Sequence, residues 1–174
     1  TDCALQNDAA QVYAIDVGYN QLDWKLRSDE RVIVKEKTNF RYVTKDLFTE
    51  GLPNFATIDV SFISLTLILP VLKEILLPNS EIVTLIKPQF EAKKEQVGKK
   101  GIIRDKKIHE EVLNKIISFA KEEGFTILGL TYSPITGAEG NIEFLAYLGW
   151  NLTEEERTNS INVSDVINEA HLQL

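Results

Sequence analysis

Glu81-Ile-Val-Thr-Leu-Ile-Lys87, followed at once by Pro88-Gln-Phe-Glu91, decides the fold class. Between its charged ends lies a short, almost unbroken apolar run. That is the pattern of a strand covered on both faces, whereas a strand with one wet side alternates. Pro88 lacks the amide that a ladder needs, so the strand stops there. Outward from this stretch the same kind of run recurs at Val12–Val17, Arg31–Val34, Ala56–Phe62, Phe125–Tyr132 and Asn141–Trp150. Helical stretches lie between: a short one over Gln21–Ser28, and one from a Ser64 cap to Leu77, bent at Pro70. A long amphipathic helix starts at Asp105, with Ile108, Val112, Leu113, Ile116, Ile117 and Ala120 mostly three and four apart, and ends at Gly124. Ser164 caps a last helix, and the polar stretch Glu91–Lys100 reads as a mobile loop. Strands alternating with helices predict an α/β domain built on a mostly parallel sheet with helices on both faces. Two consecutive closing strands predict one antiparallel strand near the edge. The first ten residues read as the tail of a helix, with no glycine before Gly18, so the pattern opens one strand late.

The 174 residues are 44% hydrophobic and 26% charged, enough for a real core. A single cysteine, Cys3, makes neither an internal disulfide nor a zinc site, which fits a reducing, cytoplasmic setting. The longest apolar run, Leu65–Leu77, contains Pro70, Lys73 and Glu74, and no stretch has the roughly 20 apolar residues of a membrane span. The net charge of −7 argues against a free-standing nucleic-acid binder. Its distribution is uneven. Lys87–Lys107 holds eight basic residues against three acidic ones, while the segment after Trp150 is acidic through Glu154, Glu155, Glu156, Asp165 and Glu169. We divide the chain into a domain over 1–150 and an acidic tail over 151–174 with a helix.

Candidate site residues cluster at strand ends, where open α/β sheets bind ligands. Asp16 closes the first strand, and a carboxylate there either accepts both hydroxyls of a ribose or caps the next helix. Asp59 sits late in the third strand, where Ser61 and Ser64 are available to cap and leave it free. Lys87 ends its apolar strand and either snorkels to solvent or faces the cleft, where it would pair with Asp59. Glu139 and Glu143 both approach the last strand, and periodicity does not choose between them. His109 and His171 are isolated, and no catalytic triad order, metal spacing or phosphate-binding glycine loop is present.

Six stretches resemble the TlyA family in combination: Val12–Leu22, Glu36-Lys-Thr-Asn-Phe-Arg41, Asp59-Val-Ser-Phe-Ile-Ser64, Lys87-Pro-Gln-Phe-Glu91, Gly101-Ile-Ile-Arg-Asp105 and Ser133–Asn141. The resemblance runs to about Trp150 and implies a Rossmann-like, FtsJ-type ribosomal RNA 2′-O-methyltransferase that uses S-adenosylmethionine. By resemblance Asp59, Lys87 and Glu143 take the last three places of a Lys-Asp-Lys-Glu tetrad. Asp16 would hold the cofactor ribose, Thr38 and Asn39 would stand near the adenine, and Asp59 would also border the cofactor. Lys37 stands where the family commonly has arginine. The resemblance also implies an upstream S4 RNA-binding domain, a Gly-rich cofactor loop and the first tetrad lysine, none of which has a counterpart here. A chain without them is expected to be inactive alone.

Those residue types suit methyl transfer, which asks an enzyme chiefly to align a ribose hydroxyl and ease the loss of its proton. Lys93, Lys94, Lys99, Lys100 and Arg104 are then candidates to hold phosphates of ribosomal RNA or a ribosomal subunit. The alternatives are a non-catalytic RNA-binding module of the same fold and, since the family is often called hemolysin, a protein acting on membranes. The set Asp59, Lys87 and Glu143 weighs against the first. Absence of a spanning helix or of alternating barrel strands weighs against the second.

Overall fold

In the computed structural model, which describes residues 1–153 and 160–174, the chain divides at Gly51/Leu52 into two compact units. Glu154, Glu155, Glu156 and Arg157 of the acidic tail lie outside the described residues. The strands form two sheets, where the sequence suggested a single one.

The first unit contains α1 (Asp2–Gln6), β1 (Val12–Ile15), α2 (Trp24–Arg27) and β2 (Val32–Lys35). The two strands are parallel, with Val12 opposite Val32 and Ile15 opposite Lys35. β1 is shorter than its apolar run suggested, ending before Asp16, whose carboxylate accepts from Gly18 N, while β2 is as long as expected and shifted by one residue. Leu5, Val32 and Phe48 form the buried core. The Tyr13 ring meets Phe48 edge-on at 4.9 Å, and its hydroxyl accepts from Glu50 N and donates to Gly51 O, both at 2.9 Å. That tie closes the unit.

In the second unit β3 (Phe55–Ile58), β4 (Ser80–Ile86), β5 (Phe125–Tyr132) and β6 (Phe144–Trp150) form a sheet in the order β3-β4-β6-β5. β3 and β4 are parallel, and β6 runs against both of its neighbours. The reversed strand therefore lies one place in from the edge, as the two closing strands predicted. Along β4 and β6 one face is fully buried, with Ile82, Ile86, Phe144, Ala146 and Leu148. Val83, Leu85 and Leu145 on the other face are half-buried.

α5 (Lys106–Glu122) and α6 (Val163–Gln173) pack against β5 and against each other. Asp105 caps α5 by accepting from Lys107 N at 2.8 Å, and Gly124, at φ 98, ends it as expected. Asn162, not Ser164, caps α6, accepting from Asp165 N at 3.2 Å. Ser64 does accept from Thr66 N, but it caps a 3₁₀ turn over Leu65–Leu67. α3 (Leu69–Ile75) then begins with Pro70 in its first turn, so the proline starts the helix where a bend was expected. A residue without an amide hydrogen costs nothing at that position. Among the described residues no helix is long and apolar enough to cross a membrane.

Candidate active site

The register of the second sheet gathers the site. Ile86 is the last residue of β4 and stands opposite Phe144, the first of β6. Lys87 and Glu143 therefore leave the sheet at the same end. β3 ends at Ile58, parallel to β4, so Asp59 emerges at that end as well. The sequence extended β3 to Phe62, but the chain turns away after Ile58, and Phe62 has φ 62. A left-handed backbone is uncommon for a bulky aromatic residue and marks a locally strained turn. The Phe62 ring, 90% exposed, lies 4.7 Å from that of Phe90.

Lys87 does not snorkel. Its Nζ lies 2.6 Å from Asp59 Oδ1 and donates to Ser61 Oγ at 3.2 Å, and its side chain is only 13% exposed. Asp59 is 69% exposed, so the pair is open on the carboxylate side. Of the two candidate glutamates, Glu143 is 8% exposed at the strand end that carries Lys87, while Glu139 sits at φ 58 on an exposed turn. Glu143 Oε1 accepts from Gln89 Nε2 at 2.9 Å. Gln89 belongs to α4 (Pro88–Glu91), the single helical turn that directly follows Lys87. Thus Asp59 meets Lys87 directly, and Glu143 is joined to the same turn through Gln89.

Two anchoring residues were missed from sequence. Glu91, in the stretch read as a mobile loop, is buried and accepts from Ser64 Oγ and Leu65 N, both at 2.7 Å. It ties the loop after Asp59 to α4, and Lys115 Nζ lies 3.5 Å from Oε2, the oxygen that also accepts from Ser64. Asn141, read as the start of a strand, is 2% exposed. It accepts from Ile103 N at 3.0 Å and donates to Gly101 O and Ala138 O at 2.9 and 3.0 Å. The Gly101–Asp105 and Ser133–Asn141 stretches are thereby joined around one amide. A lone polar residue within a motif gives no sign of which distant backbone it will satisfy, so only the order Gly-Asn beside a strand hinted at either role. Lys93, Lys94, Lys99, Lys100 and Arg104 are exposed, and among the described residues none of them is in an ion pair.

In the first unit Asp16, Thr38 and Asn39 come together beyond the carboxyl ends of β1 and β2, where Thr38 N donates to Asp16 O at 3.0 Å. Asp16 Oδ1 accepts from Gly18 N at 2.6 Å in a tight turn, leaving the exposed carboxylate's second oxygen outward. Asn39 Oδ1 accepts from Arg41 N at 3.1 Å and so caps the turn over Phe40–Tyr42. Glu36 supports this edge by accepting from Asn20 N at 2.8 Å and pairing with Arg27. The Asn20 amide, and after it the Arg27 guanidinium, hold the Glu36 carboxyl below its ordinary range. Lys37 lies over the Tyr19 ring at 4.6 Å, at φ 51.

The histidines are paired. His109 Nδ1 and His171 Nε2 are 2.9 Å apart between α5 and α6, and His109 is fully buried. Burial, and after it the neighbouring His171, lowers the His109 pKa to about 4. Among the described residues no group of three or more His, Cys, Asp or Glu is placed to hold a metal ion.

Residues 1–150 match the family model described as FtsJ-like methyltransferase. The chain is 59% identical to YqxC of Bacillus subtilis, a protein provisionally named for rRNA methylation, over all of this chain and 63% of that protein. It is 39% identical to the 16S/23S rRNA (cytidine-2′-O)-methyltransferase TlyA of Mycobacterium tuberculosis, over 92% of this chain and 58% of that one. A structure from Streptococcus thermophilus, provisionally described as a hemolysin, superposes with a TM-score of 0.92 at 52% identity, covering 99% of this chain and 62% of that one. The chain thus spans about three fifths of the length of these relatives. The resemblance of its motifs, the matched span and the strand ends that carry Asp59, Lys87 and Glu143 agree: the chain belongs to the FtsJ-like methyltransferase family.

Proposed function

We propose that the protein carrying this chain methylates the 2′-hydroxyl of a ribose in ribosomal RNA, with S-adenosylmethionine as methyl donor. The observation that carries the reading is the half-buried Lys87–Asp59 pair at 2.6 Å, at the sheet end where buried Glu143 also emerges. Ion pairs of this kind at strand ends are built to handle a proton. A solvated lysine would have no need of a carboxylate held at 2.6 Å. Lys87 Nζ presents hydrogen bonds to the incoming hydroxyl and offsets the negative charge that grows on its oxygen. The methyl carbon would leave the donor's sulfur as it joins the ribose oxygen, and the hydroxyl proton would pass to the exposed Asp59 carboxylate that pairs with Lys87. Asp59 orients Lys87, and its carboxylate is exposed on the side away from the lysine. Choice of a 2′-hydroxyl makes the reaction specific to RNA.

The fit to the cofactor rests on Asp16. An exposed carboxylate just past a parallel strand, with one oxygen committed to Gly18 N and the other outward, suits the paired hydroxyls of a nucleoside ribose. Thr38 and Asn39 stand beside it and would border the adenine. S-adenosylmethionine, when bound, supplies a methyl group already activated on a sulfonium. The residues of this chain accordingly hold and align more than they activate. The exposed cations from Lys93 to Arg104 take RNA phosphates, and an S4 domain in the longer protein would add to that grip.

The test is methyl incorporation into ribosomal subunits, with the modified position mapped to the ribose. Lys87→Ala and Asp59→Asn, prepared at the full length of the relatives, are expected to lower the rate by about 100-fold or more with S-adenosylmethionine binding retained. Full activity in Lys87→Ala would remove the lysine from the mechanism. RNA binding without methylation by the unaltered protein would favour a non-catalytic module.

A further inference from the structure

Gln89 follows Lys87 by two positions, is hydrogen-bonded to Glu143, and is not one of the tetrad residues. Its position is set by α4, whose first residue directly follows Lys87. Its Nε2 donates to Glu143 Oε1 at 2.9 Å. Its Oε1 is buried and has no hydrogen-bond partner among the described residues. The amide nitrogen faces the carboxylate, so Gln89 donates and Glu143 accepts. A buried amide oxygen left unpaired is a cost that an apolar side chain of similar size would avoid.

Glu143 has little freedom on its other side. A side chain at Gly137 would overlap its carboxylate, so the Gly137 backbone forms a wall against it. The glutamate's backbone carbonyl is fixed as well, accepting from Ser133 N at 2.8 Å. Of the groups around the carboxylate oxygens, the Gln89 amide is the hydrogen-bond donor the structure supplies. Because that amide is two residues from Lys87, any movement of the strand end moves both partners together.

We infer that Gln89 is a positioning residue that holds the Glu143 carboxylate in one orientation relative to Lys87; this rests on the methyl-transfer reading above. A donor fixed on one carboxylate oxygen restricts the rotation of that carboxylate, so Gln89 keeps Glu143 aimed towards the strand end that carries Lys87. The residue acts through Glu143 and touches no reacting atom itself.

The experiment compares Gln89→Leu and Gln89→Glu with the unaltered full-length protein in rRNA methylation across pH. Leucine keeps the bulk and removes the donor. Its kcat is expected to fall about tenfold or more while KM for S-adenosylmethionine stays within about twofold, since a misplaced group costs turnover more than binding. Gln89→Glu sets two carboxylates against each other. As the pH is lowered they share a proton, the donor is restored, and the ratio of variant to wild-type kcat rises. A purely structural residue would give a ratio independent of pH. Wild-type kcat in Gln89→Leu, or a flat ratio in Gln89→Glu, overturns the assignment.

Failure of the underlying reaction is read separately. An inactive wild-type protein overturns methyl transfer and the role of Gln89 with it. The link itself is then judged in this chain from the Gln89 side-chain amide protons. Their hydrogen-bonded resonance moves upfield in Glu143→Ala if the contact exists and stays in place if it does not.

Discussion

At the scale of single residues, the site depends on what is absent as much as on what is charged. Gly137 has an ordinary backbone, with φ −77, so its lack of a side chain serves space and not conformation. Even a methyl group there would occupy the volume of the Glu143 carboxylate. Gly137→Ala is therefore expected to displace Glu143, costing about 1–3 kcal/mol of stability by overpacking and at least about tenfold in methylation rate. Urea midpoints and rates compared with those of Gly129→Ala would check it, since a side chain at Gly129 meets only Tyr147, at ordinary contact distance. A variant at Gly137 with native midpoint and rate would show that the carboxylate is not confined. Much of this site was legible in the sequence. Lys87 ending an apolar strand and Asp59 ending its parallel neighbour are strand-end carriers, and strand ends can be read from periodicity alone. Glu143 could not be told from Glu139 by spacing. The choice was made by burial and by the register that sets Phe144 opposite Ile86, both products of the tertiary fold.

At the scale of elements, the apolar runs located all six strands, because burial on a sheet leaves a strong and local imprint. Their ends were less legible. β3 stops at Ile58 although Val60 and Phe62 continue the pattern, since the chain there turns to carry Asp59 and is held by the distant Glu91. The segment from Glu91 to Lys100 is polar enough to read as a free loop, yet Glu91 is buried and Gln96 donates to Glu111 at 2.8 Å. Partners 15 to 27 residues away leave no trace in a local window. The contact between α5 and α6 is similar: His109 and His171 looked isolated and meet 62 residues apart. That contact predicts a pH response. Unfolded, His109 takes a proton near its ordinary 6.5; folded, it resists until about 4. Between those values the unfolded chain binds more protons, so the stabilising contribution is complete above about 6.5 and is lost as the pH falls toward 4. The gap corresponds to about 3 kcal/mol. His171 shifts in the same direction, from burial and then from the nearby Lys106. Urea denaturation at pH 7 and pH 4.5 should thus show a larger loss for the native chain than for His109→Leu. Equal losses would separate this histidine from the acid sensitivity of the α5–α6 contact.

At the scale of the molecule, an acidic chain is proposed to act on the most acidic of substrates, and the distribution of charge is what makes this workable. The net charge of −7 would repel RNA if it were spread evenly. It is not: the stretch from Lys87 to Lys107 is strongly basic, and Asn141 ties its Gly101–Ile103 portion to the loop that leads into Glu143. The cations are thus fixed to the same end of the second sheet as the proposed reaction residues. Lys93, Lys94, Lys99, Lys100 and Arg104 are exposed, and among the described residues none is held in an ion pair, so they remain free for phosphates. Neutralising a phosphate releases counterions, and each one neutralised steepens the dependence of log affinity on log salt by about 0.7 to 0.9. Replacing all five by Gln should weaken rRNA binding most at low salt and flatten that slope by about 0.7 to 0.9 for every phosphate left without its cation. Thermal stability should stay near native, because exposed, unpaired side chains contribute little to it. Binding isotherms over a series of salt concentrations measure the affinity and the slope together. An unchanged slope in the five-fold variant would place the RNA grip elsewhere and leave this basic stretch as a solvated surface, whereas a flattened slope with intact S-adenosylmethionine binding would locate substrate recognition beside Lys87.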